Sequence, residues 1–179
     1  MTKKVLETPR LLLIKSVENE EELLIPFFAD LMVNRYLGEG KPKGVPQVRE
    51  AMLIHKKHWS AFGHGFFLIF NKETKEFVGR CGLVHLGMQH DHPDVEIGYM
   101  FYEKFWGKGY ATEVARRLLK WGFEELKLPS IIGVTRKENI ASQRVLEKLG
   151  MQPNGEALYP NTQVVCDYYE VLPESAILS

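Results

Sequence analysis

The segment DVEIGYMFYEKFWGKGYATEVARRLLKWGFEEL, Asp94 to Leu126, constrains this chain most. It passes from a period of two, through two glycines around a lysine, into an amphipathic helical pattern. A strand, a glycine turn and a helix in that order leave backbone N–H groups free at the positive end of a helix. That is a site for phosphate. Three phosphate sites compete. The nucleotide loop G-x-x-x-x-G-K-[ST] is absent. The dinucleotide fingerprint needs a third glycine where Thr112 stands, and it usually opens the first βαβ unit rather than lying past mid-chain. The third is a coenzyme A pyrophosphate loop, for which Gly107, Gly109 and Ala111 supply small residues, Lys108 charge and Thr112 a hydroxyl. A plain glycine turn between strand and helix is the alternative to all three.

The rest of the chain supplies the frame. Leu11–Lys15 reads as a strand. Glu20 to about Leu37 has helical spacing, with Pro26 in its first turn or breaking it. GEGKPKGVP is a loop, and Pro46 to about Phe62 a second helix. FFLIF, EFVGRCGLVHL and DVEIGYMF form a meander of three antiparallel strands, with NKETKE as a hairpin turn. A helix over Tyr110–Leu126, a strand over Ile131–Thr135 and a helix over Glu138–Leu149 capped by Gly150 follow. The tail QVVCDYYEVL adds one or two strands. This order implies an α/β or α+β sheet covered by helices. The 179 residues suffice for one domain with a full core.

Lys plus Arg and Asp plus Glu balance at 23 each, which argues against partners held by excess positive charge, namely nucleic acid and membrane surfaces. Cys81 and Cys166 have neither CxxC nor metal spacing and read as buried, reduced thiols. No apolar run reaches membrane-span length, and MTKKVLETPRLLLI is a poor signal peptide. A cytoplasmic location is the expectation.

EIGYMFYEKFWGKGYATEVARRLLKWGF followed by VTRKENIASQRVLEKLGM resembles the GCN5-related N-acetyltransferase (GNAT) superfamily. Within it the chain is most similar to the ribosomal-protein N-acetyltransferase group, the Rim-type enzymes. The family loop [Q/R]-x-x-G-x-[G/A] is Trp106-Gly107-Lys108-Gly109-Tyr110-Ala111 here, with Trp106 departing from Gln or Arg as is usual in the Rim-type group. The opening ETPRLLLI also resembles that group, and the match runs from about Val5 to Val171. It implies the GNAT fold, a mixed and mostly antiparallel sheet with helices on both faces, splayed between its fourth and fifth strands, as a single domain over residues 1–179. It also implies acetyl transfer from acetyl-CoA to an amine by direct attack in a ternary complex, with no metal. The acceptor is an amine, a protein N-terminus among the candidates. A small-molecule amine (polyamine, amino acid or antibiotic) and a non-catalytic CoA-binding module are the alternatives. Oligomeric state, monomer or homodimer, stays open.

The resemblance assigns residues. Tyr99, Met100 and Phe101 supply strand backbone for the pantetheine arm, and the N–H groups of Gly107 to Thr112 meet the pyrophosphate. Asn139 is a pantetheine contact as well as an N-cap type. Ser142 lies near the thioester sulfur, and with Leu146 where many members have a tyrosine acid, Ser142 is the candidate acid; water is the alternative. Glu96 is the candidate base, because a glutamate in an apolar strand needs a role or a partner. His85 is its rival, more naturally a hydrogen-bonded core residue. His90, Asp91, His92 and Asp94 read as a polar turn, and His55 and His58 as a solvated helix face. Tyr159, Tyr168 and Tyr169 pack the last strands and can line the acceptor cleft, with Leu31–Tyr36 and GEGKPKG as its other walls.

Overall fold

The computed structural model describes residues 5–15, 19–160 and 162–178. Its strands are β1 (Val5–Glu7), β2 (Leu11–Ile14), β3 (Phe66–Asn71), β4 (Phe77–His85), β5 (Val95–Phe101), β6 (Ile131–Thr135), β7 (Gln152–Leu158) and β8 (Val165–Val171). Its helices are α1 (Glu20–Ala29), α2 (Leu31–Asn34), α3 (Val45–Phe62), α4 (Tyr110–Glu124) and α5 (Ile140–Lys148). The strands form one eight-stranded sheet in the order β1-β2-β3-β4-β5-β6-β8-β7. Every neighbouring pair is antiparallel except β5 with β6.

Alternation along the strands divides the core. Phe67, Ile69, Leu83 and Ile97 face α4, whose Val114, Ala115, Leu118 and Leu119 are fully buried, and Leu146 of α5 joins them. On the opposite face Leu68 and Phe77 pack under Leu24, Phe27 and Phe28 of α1, Val33 of α2 and Val48 of α3. Helices thus cover both faces, as the resemblance implied.

The parallel pair positions the site. β5 is in register with β4 along its whole length, from Gly79 opposite Phe101 to His85 opposite Val95. With β6 it is paired only at Glu96–Ile132 and Ile97–Gly133. From Gly98 onward β5 has β4 on one side and, among the described residues, no strand on the other, which is the expected splay.

Several readings need correction. Pro26 neither opens nor ends its helix. α1 runs through it, because Pro26 faces solvent and water can satisfy the carbonyl that loses its donor. The break comes at Asp30, whose backbone is extended and whose Oδ1 accepts from the N–H groups of Met32 and Val33, starting α2. α4 ends at Glu124, two residues short of Leu126. Strands β1 and β7 were not anticipated. β7 is an exposed edge strand containing Pro153 and Gly155, with an irregular register between Pro153 and Glu156, and it has no apolar alternation to read.

Candidate active site

The start of α4 is shaped by glycine. Gly107 and Gly109 have φ of 71° and 77°, left-handed values that disfavour side chains. Gly109 is the N-cap and makes no side-chain cap bond. None of the N–H groups from Gly107 to Thr112 finds an acceptor among the described residues. Unsatisfied N–H groups at an uncapped helix start, with no Cβ in the way, fit a pyrophosphate. The side chains of Tyr110 and Phe101 turn into the core, so these two can offer only backbone. The Tyr110 hydroxyl accepts from Asn71 Nδ2 at 3.0 Å, and the half-exposed Trp106 donates its indole N–H to the Phe101 carbonyl at 3.0 Å.

Arg10 joins this site and was missed in the sequence. Glu113 Oε1 accepts from the Arg10 backbone N–H at 2.9 Å and from the Thr8 hydroxyl at 2.6 Å, while Glu113 Oε2 pairs with the Arg10 guanidinium at 2.6 Å. The guanidinium also lies over the Tyr110 ring at 4.6 Å, and a Cβ on Gly109 would sit 3.5 Å from its Nη2. The TPR of ETPRLLLI was visible; its contact with Glu113, 103 residues away, was not.

A cleft of about 320 Å³ opens where β5 and β6 part. Glu96, Gly98, Tyr99, Met100, Asn139 and Ser142 line it, with Tyr36, Gly38 and Lys43 on one wall and Tyr159 on another. Glu96, Tyr99, Met100, Asn139 and Ser142 are therefore brought together, while Phe101 and the Gly107–Thr112 loop lie outside the lining. The Asn139 side chain caps α5, its Oδ1 accepting from the Ser142 N–H at 3.2 Å. The Ser142 hydroxyl lies 2.9 Å from the Tyr99 hydroxyl. Burial holds the Tyr99 phenol far above its ordinary pKa, so it stays protonated and able to donate. Leu146 is buried against Gly133, whose missing Cβ makes room for it.

Glu96 is 8% exposed. Its Oε1 accepts from the Tyr159 hydroxyl at 2.6 Å and from the Gly87 N–H at 3.1 Å. Burial raises its pKa to about 7, although both hydrogen bonds favour the carboxylate. Tyr159 is thus a direct partner of Glu96 as well as a cleft wall. The loop carrying it was expected to pack or to line the cleft, but sequence spacing gave no link to Glu96.

His85 does not line the cleft. Its Nδ1 is 2.7 Å from the His92 carbonyl and its ring packs on Phe62, the hydrogen-bonded core role expected of it. His55 and His58 are a correction: neither is on a solvated face. His58 is fully buried, with Nδ1 2.9 Å from the His64 carbonyl, and desolvation pulls its pKa down to about 4. His55 is held neutral by burial and touches Arg80. Neutral imidazoles can enter a core once their ring nitrogens are paired. Tyr169 is buried in the core, and Cys81 and Cys166 are both buried free thiols. Among the described residues no group of His, Cys, Asp or Glu is arranged to hold a metal, and no helix is long and apolar enough to cross a membrane.

The model of the acetyltransferase (GNAT) domain matches residues 10–152. The chain belongs to the GNAT family. It is an N-acetyltransferase, and members of this family use acetyl-CoA. It is 31% identical over 156 residues to the uncharacterized N-acetyltransferase YoaA of Bacillus subtilis strain 168, covering 84% of each chain. The crystal structure of a GNAT-family acetyltransferase from Bacillus anthracis superposes with a TM-score of 0.77 at 29% identity, over 96% of this chain and 99% of that one. The spermidine N-acetyltransferase of Vibrio cholerae, in complex with CoA and spermine, superposes with a TM-score of 0.74 over 92% of this chain and 96% of that one. At 17% identity that likeness shows the fold alone.

Proposed function

We propose that this GNAT enzyme acetylates a primary amine by direct attack in a ternary complex, with Glu96 as the base. Acetyl-CoA supplies an activated acyl group as its thioester. Gly107 to Thr112 would hold the pyrophosphate through backbone N–H groups, with the Arg10 guanidinium beside them. The free edge of β5 at Tyr99 to Phe101 would take the pantetheine arm as an added strand, and Asn139 and Ser142 would flank it. Glu96 removes the proton of the ammonium, directly or through water, and Tyr159 and Gly87 orient the carboxylate that receives it. Ser142, backed by the Tyr99 hydroxyl, donates toward the departing sulfur.

The observation that carries this reading is Glu96 itself. A buried carboxylate at the splay, with a pKa near neutrality, suits general-base catalysis. The domain is proposed to span residues 1–179, in the cytoplasm. The Rim-type likeness favours a protein N-terminus as acceptor. A small-molecule amine is the second reading, supported by a cleft whose volume is that of a small-molecule site. Incubation with acetyl-CoA and a panel of peptides and small amines, read as free thiol and as mass gained by the acceptor, tests both. Thiol release that needs an amine and falls sharply in Glu96→Gln is expected. Equal release by the two proteins removes Glu96 as the base.

A further inference from the structure

The cleft contains a positive charge that acetyl transfer does not require. Arg80 projects from β4 into the cleft and is only 5% exposed. Its Nη2 donates to the Nδ1 of neutral His55 at 2.8 Å, and its Nε has no hydrogen-bond partner among the described residues. The guanidinium lies against the rings of Phe66, at 5.1 Å, and Phe28, at 5.7 Å. No carboxylate among the described residues comes within ion-pair distance of it; Glu20 acts on it only from farther away. Burial lowers its pKa to about 10, so it remains charged at neutral pH. Lys43 lines the same end of the cleft, its Nζ 5.1 Å from the Phe28 ring. A buried cation with no ion pair among the described residues is unusual in a folded protein, and the open space beside this one is the cleft.

We infer that Arg80 and Lys43 form a subsite for an anionic group, and that the acceptor is a small primary amine carrying a carboxylate. This rests on the proposed role of Glu96, because the amine must sit at the Glu96 end, and it takes the second reading of the acceptor, a small molecule, over a protein N-terminus. The register sets the spacing. Arg80 lies opposite Met100 and on the same sheet face as Glu96, four residues away on β5, or about 13 Å along the strand. The two side chains span part of that interval, leaving room for a few bonds between amine and carboxylate. The floor between them is Gly98, where a Cβ would meet the Phe66 ring at 2.9 Å. Among the described residues, Glu96 is the only carboxylate side chain in the lining, against Arg80, Lys43 and Arg136. A polyamine, whose second charge would face these cations, is disfavoured.

The test uses ω-amino acids from glycine to 6-aminohexanoate, each paired with its primary amide, together with spermidine and a peptide with an acidic N-terminal residue. Thiol release gives kcat/KM for each. The acids should exceed their amides by roughly 10- to 100-fold, with a maximum at an intermediate chain length, and spermidine should be poor. Arg80→Gln should bring the acid-to-amide ratio toward one, and Arg80→Lys should retain part of it. Lys43→Gln, on a surface loop, should lower the ratio to a lesser degree and serves if the Arg80 variants fail to fold. Equal rates for acid and amide in the wild type, a ratio unmoved in both Arg80→Gln and Lys43→Gln, or turnover of the peptide alone would overturn the proposal. If no amine releases thiol, these amines are not turned over, and calorimetry of 4-aminobutyrate and its amide on the CoA complex decides the subsite separately. Preference for the acid, lost in Arg80→Gln, upholds it, and equal binding refutes it.

Discussion

The start of α4 and the surroundings of Glu96 are built from different materials. At Gly107 to Thr112 the groups presented are backbone N–H donors, and the side chains of Tyr110 and Phe105 turn inward as packing. Around Glu96 the groups presented are side chains from separate elements: a carboxylate from β5, a phenol following β7 and a hydroxyl from α5. With the proposed assignments, cofactor grip and chemistry are separable in this enzyme. A backbone site depends on conformation and space, whereas a side-chain site depends on burial and pKa. Changes at one should leave the other readable.

The largest effect should come from Glu96→Gln. It preserves shape and an acceptor for Tyr159 but removes the proposed base, so kcat/KM should fall by about 10²- to 10⁴-fold while CoA affinity holds. Weakened CoA binding would break the separation. Gly109→Val should do the reverse. A β-branched residue at φ 77° strains the turn and crowds the phosphate, so CoA affinity in calorimetry should drop roughly 10- to 100-fold. The pH midpoint of the remaining activity should stay where it was. Ser142→Ala should slow turnover only about several-fold, since a thiolate is a tolerable leaving group and water can replace the hydroxyl. Tyr159→Phe removes a bond that favours the Glu96 carboxylate, so the rise of rate with pH should move to higher pH.

The same contrast explains what the sequence disclosed. WGKGYA was legible because glycine spacing reports backbone conformation directly, and the meander and α4 were legible because their periods are long and clean. Glu96 was noticed as a charge in an apolar strand. Its partners were not, because Tyr159 is 63 residues away and follows β7, an edge strand with a proline and a glycine and no alternation. Arg10 was seen within a motif but could not be tied to Glu113. His55 and His58 were misread for a physical reason: a histidine spacing of i, i+3 looks the same on a solvated face and in a core, and only the carbonyl of His64 and the guanidinium of Arg80 decide between them.

Stability should carry a smaller mark of the same carboxylate. The folded-state pKa of Glu96, about 7, lies above the ordinary 4.5, so the folded protein retains a proton that the unfolded chain loses. Wild-type stability relative to Glu96→Gln should therefore decline as pH rises from about 4.5 to about 7 and level off above it, by roughly 3 kcal/mol at most. Denaturant unfolding of both proteins across that range checks the sign.

The most direct test of the central claim is the pH dependence of kcat/KM between pH 5.5 and 9, for wild type and Glu96→Gln, with one small amine at fixed acetyl-CoA. The wild-type rate should rise through a midpoint near 7, before the acceptor's own ionisation near pH 10 contributes. In Glu96→Gln that step should vanish, leaving only the acceptor's limb. The same midpoint in both proteins would contradict the assignment of Glu96 as the base.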